Sequence, residues 1–305
     1  MVQRVLSGLA MMLIASLFAF AILESSPGDI VSRLLGDEAT AEQQEQLREE
    51  LDLDKPMLHR YGRYMVGVLQ GDLSTSLISG RPVTELIGGR FLNTLILAFA
   101  SIALAVFLSS GLGFWAAYYY NSALDKLILG VTVVLLAAPG FGIALIMTQI
   151  FSVRLGWLPA LGGGTVWHFV LPMLALALPI TAVLTRLIRT RMISEMQKAY
   201  TMAAFARGRN KFGVWRLHVY PNAIIPALTM VGIQFGHLLG GTFVIETLFA
   251  FPGLGRLTAE AILNQDFPVV LAAILLSALV FQLLNGVVDL IHRRLNPRMA
   301  AEGQR

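Results

Sequence analysis

Side chains that could perform chemistry are few in this sequence and form no catalytic pattern. The chain has no cysteine, which excludes disulfides, thiolate catalysis and cysteine-based metal sites. The patterns H-E-x-x-H of zinc proteases and G-x-S-x-G of serine hydrolases are both absent. The pattern G-x-x-x-x-G-K-[ST] is absent as well, so the chain is not expected to hydrolyse ATP itself. The sequence therefore predicts no catalytic residue and no cofactor bound by this chain.

Polar groups that could bind a ligand have simpler interpretations. Acidic residues in 24–90 are too scattered for a metal site and are expected to be solvated. His237 lies within an apolar, glycine-rich run, where we favour a hydrogen bond between helices over a ligand role. Asn285 and Asp289 share one face of an apolar run, and polar groups inside membranes are functional candidates. Because Asp289 is close to His292 and the following arginines, we favour an interfacial ion pair. No metal site is predicted.

The composition predicts a membrane protein. Of 305 residues, 56% are hydrophobic and 14% are charged, whereas soluble domains are about 45–50% apolar and about 25% charged. The long apolar runs therefore indicate membrane-spanning helices in a lipid bilayer. The net charge of +4 does not indicate nucleic-acid binding, because the basic residues are not interleaved with exposed aromatic residues.

Apolar runs predict an all-α integral membrane protein with six membrane-spanning helices. A signal peptide competes for the first run, because Ala19-Phe-Ala21 resembles a cleavage site, but the run continues to Leu23. Pro139-Gly140 is expected to kink the third helix. The glycines 162–164 precede no Lys-Ser/Thr pair, so a flexible turn is favoured over a phosphate loop. The predicted helices cover residues 5–23, 91–119, 127–153, 169–188, 223–244 and 268–291.

Charge asymmetry predicts which segments face each side of the membrane. Residues 24–90 carry twelve acidic and seven basic residues, a net of −5, and are expected outside the cytoplasm. Residues 189–221 carry seven basic residues and one acidic residue, which indicates the cytoplasmic side. Both termini are then cytoplasmic. Within the acidic segment, Thr40 and Gln43 have the spacing of a capping box, which predicts a helix to Leu51.

The basic segment predicts two short helices around a glycine. Tyr200 to Arg207 are good helix formers, and Gly208 fits the left-handed position after a helix. Phe212, Trp215 and Val219 recur at spacings of three and four residues, so they share one face of a second helix. Pro221 is expected to end that helix.

This segment resembles the EAA loop of bacterial ABC-type importer permeases, most closely that of the dipeptide/oligopeptide branch. The family pattern is Glu-Ala-Ala, three residues, Gly, nine residues and Ile-x-Leu-Pro. Here Ala203-Ala204 precede Gly208, and nine residues lead to His218-Val-Tyr-Pro221. The chain departs from the pattern, as Met202 replaces Glu, His218 and Tyr220 replace Ile and Leu, and Phe205 stands where this branch often has Arg. Further stretches are similar to the same branch: 51–56, 71–74, 81–83, 246–255, 264–268 and 296–298.

The resemblance implies a permease subunit with a type I ABC importer core in the bacterial inner membrane. It implies a second homologous permease, two cytoplasmic ATPase subunits that bind ATP and Mg, and an extracytoplasmic solute-binding protein. The substrate stays open, because this branch serves peptides, nickel chelates, opines, glutathione and some sugars. The residues expected to couple the chain to an ATPase are Tyr200, Ala203, Ala204, Arg207, Gly208, Phe212, Trp215 and Pro221.

The predicted organisation has three parts. Residues 1–90 hold the first helix and the extracytoplasmic segment, residues 91–293 form the core with coupling loop 195–221, and residues 294–305 form a cytoplasmic tail. Gly232, Gly236 and Gly240 recur every four residues and allow close approach of another helix, either in this chain or in a second subunit.

Two alternatives to an ATP-driven importer stay open on the residues alone. An ion- or proton-coupled carrier would need buried acidic residues or histidines near the membrane centre, usually within an internal repeat, and neither is seen. A purely structural membrane subunit would not require the helix–glycine–helix segment. For that segment itself, the alternative is a pair of amphipathic helices lying on the bilayer.

Overall fold

The computed structural model describes residues 2–25, 30–36 and 39–295, and within them it is built from helices. The one β-type pairing in this part is an isolated bridge between Thr75 and Pro82. The all-α prediction is therefore confirmed. The helices are α1 (Val2–Glu24), α2 (Ile30–Leu35), α3 (Ala41–Glu50), α4 (Met57–Leu69), α5 (Val83–Tyr118), α6 (Ala123–Ala137), α7 (Gly140–Met147), α8 (Trp167–Met196), α9 (Ala199–Ala206), α10 (Lys211–Val214), α11 (Tyr220–Ala223), α12 (Ile225–Leu248), α13 (Leu254–Leu263) and α14 (Phe267–Leu295), with π-helical turns at Thr148–Arg154 and Trp215–Val219.

Membrane-crossing helices can be recognised by length and apolar composition. Helices α5 and α8 and the Phe267–Leu284 part of α14 each qualify alone. Helix α6 and the segment Gly140–Arg154 qualify as a pair, as do two parts of α12, while Ala10–Glu24 is apolar but shorter. The described residues thus hold three such helices, or up to five if each pair is one span.

The break at Pro139 is sharper than the predicted kink. Helix α6 ends at Ala137, and the following segment leaves it at an angle of 106°. Pro139 immediately precedes α7, and its carbonyl accepts the N–H groups of Gly142 and Ile143 at 2.8 and 3.1 Å. Because proline has no N–H to donate, it is tolerated at a helix start but not inside the continuous hydrogen-bond ladder.

Helices α5 and α8 extend well beyond their predicted bounds. Helix α5 begins at Val83 rather than Phe91, because Val83 and Ile87 are buried in an apolar cluster with residues of α13 and α14, while the polar residues between them stay outside. Helix α8 continues to Met196 rather than ending near Ile188, and Ile188 and Met192 are both buried. Amphipathic extensions of this kind are missed when helices are read from apolar runs alone.

The chain divides into two compact units, one of residues 1–93 with 253–282 and one of 94–252 with 283–305. In the first unit the predicted capping box is confirmed, since Thr40 and Gln43 exchange hydrogen bonds at the start of α3. The buried Asp266 accepts bonds from the Ser76 hydroxyl at 2.5 Å and the Leu77 N–H at 3.1 Å. The predicted boundaries at 90 and 293 stay predictions.

Helix α8 is central to the second unit. Helices α6, α7 and α12 all pack against it, and Pro172 and Pro179 lie inside it, as predicted. Its apolar face belongs to a cluster with residues of α5, α7 and α12. Helix α12 continues past the predicted end at Val244, so Glu246 is buried within it and accepts a 2.6 Å bond from Thr94.

The glycines 162–164 are not a free turn. The Gly162 N–H donates to the carbonyl of Phe249 at 2.8 Å, and its φ of +102° lies in the region that favours glycine. A side chain at Gly163 would place its Cβ 2.6 Å from the Pro252 ring. Close packing therefore favours glycine at position 163, and a positive φ favours it at positions 162 and 164. Residues 296–298 of the tail, and the side chains of Asn285 and Asp289, lie outside the described part.

An ion pair fixes the turn between α5 and α6 to α8. Arg189 donates from Nε and Nη2 to the two carboxylate oxygens of Asp125 at 2.6 and 2.7 Å. Asp125 is only 2% exposed and also accepts the N–H of Asn121 at 2.8 Å. The guanidinium lies 5.3 Å from the Tyr120 ring centre. Bidentate pairs of this kind are strong and directional.

We expect Asp125→Asn to lower the thermal stability of the purified protein. Removing one partner of a buried pair leaves the other charge uncompensated, at a cost of about 3–5 kcal/mol. Tryptophan fluorescence during heating in detergent will measure the unfolding midpoint. The exposed Asp54→Asn serves as control, and the double variant Asp125→Leu with Arg189→Leu should recover most of the loss. A midpoint of Asp125→Asn equal to that of the control would contradict this role.

Candidate functional site

The segment 195–221, called the coupling loop below, folds as two short helical parts around Gly208. Helix α9 ends at Ala206, and Gly208 follows with a φ of +78°. The Gly208 N–H donates to the Phe205 carbonyl at 2.9 Å, which closes the first helix. Asn210 then caps α10 by accepting the Gly213 N–H at 2.7 Å. The predicted helix–glycine–helix arrangement is confirmed.

The prediction that Pro221 ends the second helix is wrong. Helical structure continues through Pro221 to Ala223, after a π-helical turn at Trp215–Val219. In a π-turn the N–H groups bond five residues back instead of four, so the ladder changes register just before the proline. Pro221 then lies in the first turn of α11, where its missing N–H costs little.

Hydrogen bonds around Glu195 hold the start of the coupling loop. Its carboxylate accepts from Lys198 Nζ at 2.6 Å and from the Tyr200 hydroxyl at 2.5 Å. The Thr201 hydroxyl donates to the Glu195 carbonyl at 2.9 Å. Burial, and then the bond to Glu195, raise the pKa of the Tyr200 hydroxyl. The hydroxyl therefore stays protonated at neutral pH and remains a donor that ties α9 to α8.

Aromatic contacts hold the second part of the coupling loop against the end of α5. The rings of Phe212 and Trp215 both meet Tyr118, with centres 6.1 and 5.7 Å apart. The Lys211 ammonium lies 4.7 Å from the centre of the same ring. The predicted shared face of Phe212 and Trp215 is thus the face that meets α5.

The predicted coupling residues divide into exposed and buried groups. Ala204 and Trp215 are buried, Trp215 being only 5% exposed, so they support the loop from within. Sequence reasoning missed two exposed apolar side chains, Met202 and Leu217, which are 63% and 56% exposed. The sequence alone did not mark them, because single exposed apolar residues are common on protein surfaces. The predicted residues that are exposed are Tyr200, Ala203, Arg207, Gly208, Phe212 and Pro221.

Comparison with known proteins identifies the family. Residues 109–301 match the model described as "Binding-protein-dependent transport system inner membrane component". Residues 1–98 match the corresponding N-terminal family model. The chain belongs to this family of importer permeases. The coupling loop lies within the first of these matches.

Individual relatives agree with this membership. The permease is 38% identical over 296 residues to the "Glutathione transport system permease protein GsiC" of Pectobacterium atrosepticum, covering 97% of each chain. It is 37% identical to the protein of the same name from Escherichia coli strain K12, again over 97% of each chain. A solved structure titled "Crystal structure of an amino acid ABC transporter with histidines" aligns with a TM-score of 0.55 and 18% identity, covering 69% of the permease and 94% of that chain. This last likeness shows the fold alone.

Family membership decides between the open alternatives. The permease is the inner-membrane component of a binding-protein-dependent ABC importer of the peptide/glutathione branch. It is not an enzyme, and ATP hydrolysis resides in separate subunits. The alternative of a carrier without an ATPase is therefore set aside, and an integral inner-membrane location is established.

The glycines of α12 have different surroundings. Gly232 is buried within the permease, whereas Gly236 is half-buried. The surroundings of Gly240 lie outside the described part. Gly232 is therefore covered by this chain, Gly236 keeps exposed surface, and the role of these glycines in helix packing stays a prediction.

We expect Gly208→Val to separate ATP hydrolysis from transport while the permease still inserts. A β-branched residue at a φ of +78° costs about 1 kcal/mol or more, which shifts the two helical parts of the coupling loop. Nothing lies within 4 Å of a Cβ at this position, so backbone strain rather than a clash would cause the effect. Uptake and ATPase rates of the reconstituted complex will be compared.

Gly208→Asn is the matched control, because asparagine tolerates the left-handed region better than other side chains. It should keep most of the uptake. Unchanged uptake in Gly208→Val would show that Gly208 is not needed for coupling.

Proposed function

We propose that the permease pairs with a second homologous permease, and that two cytoplasmic ATPases, which bind ATP and Mg, drive transport by docking on the coupling loops. An extracytoplasmic binding protein delivers the solute. Closure of the ATPase pair displaces the coupling loop and shifts the helices between an inward-open and an outward-open state. Nucleotide shifts this equilibrium only as far as its affinities for the two states differ.

The observation that carries this proposal is the surface of the coupling loop. Met202, Phe212 and Leu217 expose apolar area on a loop that also exposes several arginines. Apolar anchors with arginines are typical of the energetic centres of protein interfaces. The loop is also held to α5 through Tyr118 and to α8 through Glu195. A force applied to this surface is therefore transmitted to two long helices.

The proposed topology has six spans with both termini in the cytoplasm. Helices α1, α5, α8, α12 and α14 and the bent pair α6–α7 would supply them. The net charge of −5 in residues 24–90 and the basic coupling loop support opposite sides for these segments. No nucleic acid has a role in this arrangement.

The proposed substrates are short peptides. The named relatives transport glutathione, which is a tripeptide. Identity of 37–38% over almost the whole chain supports a substrate of the same chemical class, without fixing which peptide. Uptake of radiolabelled glutathione and trialanine by the reconstituted complex, with an excess of unlabelled dipeptide or nickel chelate as competitor, will test the class. Competition by the chelate and not by the dipeptide would contradict it.

Single cysteines will test the topology, because the native chain has none. In intact cells whose outer membrane admits the reagent, a membrane-impermeant maleimide should label Glu42→Cys and leave Arg209→Cys unmodified. Both should react once the inner membrane is permeabilised. Labelling of position 42 only after permeabilisation would overturn the proposed orientation.

Assembly with a second permease will be tested at Gly236. Gly236→Leu should reduce recovery of the partner permease in a pull-down, because a large side chain prevents close helix approach. Gly130→Leu is the control, since nothing lies within 4 Å of a Cβ at Gly130. The mutated chain should still insert and resist proteolysis. Normal partner recovery with degradation of the mutated chain alone would assign Gly236 to internal packing.

A further inference from the structure

The second unit contains a cavity among three helices, outside the coupling loop. It has a volume of about 320 Å³ and is bounded by residues of α7, α8 and α12. Ligand pockets typically hold about 300–1,000 Å³. Most of its lining is apolar, and Gln234 and His237 contribute the polar side chains. The helices concerned belong to the membrane-crossing segments.

Gln234 and His237 lie one turn apart on α12 and have no partner in the described part of the chain. The structure gives neither side chain a hydrogen bond or an ion pair there, and His237 is exposed to the cavity. The predicted hydrogen bond of His237 to another helix is therefore not found among these residues. A polar side chain inside a membrane is costly unless it meets a partner or lines a water-filled path. A path for solute satisfies this requirement.

The wall of the cavity formed by α8 contains a proline. Pro179 and Ala175 both line it. Pro179 has no N–H, so the Ala175 carbonyl one turn earlier lacks its usual helical donor. Gly140 has no side chain and Ala175 has only a methyl group, so these two lining positions take up little of the cavity. The cavity therefore combines uncharged donors and acceptors with apolar walls.

We propose that this cavity is a transient binding site for the transported peptide, in which Gln234 and His237 hydrogen-bond its main-chain amide groups. The glutamine amide donates and accepts as a peptide group does, and a neutral imidazole does both through its two nitrogens. The apolar walls accommodate different side chains of the solute. A site without fixed charge also binds weakly enough to release the solute, as conduction requires. This inference rests on the peptide substrate proposed above.

Accessibility of position 237 gives the first test. In the assembled importer with its binding protein and ATP, a water-soluble thiol reagent should modify His237→Cys, because only a hydrated thiolate reacts readily. Val134→Cys, at an exposed position of α6 that does not line the cavity, should stay unmodified. Saturating trialanine should slow modification at 237 roughly three-fold or more. Absence of modification, or modification that trialanine does not slow, overturns the proposal.

Transport gives the second test. Gln234→Leu and His237→Leu should each lower trialanine uptake per ATP hydrolysed by roughly three- to ten-fold, the loss of about one hydrogen bond. ATPase stimulation by the binding protein should be unchanged, because the coupling loop is intact. Gln234→Asn and His237→Gln keep hydrogen-bonding groups and should retain more uptake than the leucine variants. Equal uptake in all four variants and the wild type overturns the proposal.

The two proposals fail in different ways. If the wild-type importer takes up no trialanine or glutathione, the peptide assignment fails, and this site fails with it. If the wild type takes up trialanine and the leucine variants take it up at the same rate, only the site at Gln234 and His237 fails. Folding of each variant is checked by its recovery in the assembled complex.

Discussion

The constraint behind this structure is that hydrocarbon offers no hydrogen bonds to the polypeptide backbone. Every N–H and C=O inside the bilayer must find a partner within the protein, and a helix does this with local bonds. The apolar stretches of the permease accordingly form helices in its described residues. Where prolines interrupt the ladder, the surrounding structure compensates. Pro139 begins a new helix, Pro221 follows a π-turn, and Pro172 and Pro179 lie in α8, which other helices cover.

The coupling loop solves a different problem, because it must be both exposed and stiff. Its exposed apolar residues would be a liability on a mobile segment, since such patches associate non-specifically. Here Tyr200 is tied to Glu195, and Phe212 and Trp215 pack on Tyr118. Part of the loop's sequence therefore serves to fix it to α5 and α8. The rest is free to meet a partner, and this division explains why Trp215 is buried although it lies in the middle of the motif.

Much of this could be predicted from the sequence because the strongest signals are local. Apolar runs located the long helices, and Gly208 and the Thr40–Gln43 pair marked helix ends through chemistry of a few residues. Features that depend on distant partners were missed. The pairing of Asp125 with Arg189, and the contacts of Gly162 with Phe249 and of Gly163 with Pro252, join residues far apart in the chain. Pro221 was misjudged because a π-turn has no simple sequence signature.

Helix α8 has 30 residues, which at 1.5 Å per residue is about 45 Å of rod. Its two prolines divide this rod unequally. The stretch from Pro179 to Met196 is roughly 27 Å long and has an unbroken ladder, so it turns as one stiff arm. Arg189 lies on this arm, and its ion pair with Asp125 ties the turn between α5 and α6 to it. Helices bend most readily at prolines, and Pro179 lies in the wall of the cavity. Bending there changes the width of the cavity without unfolding either half of the helix.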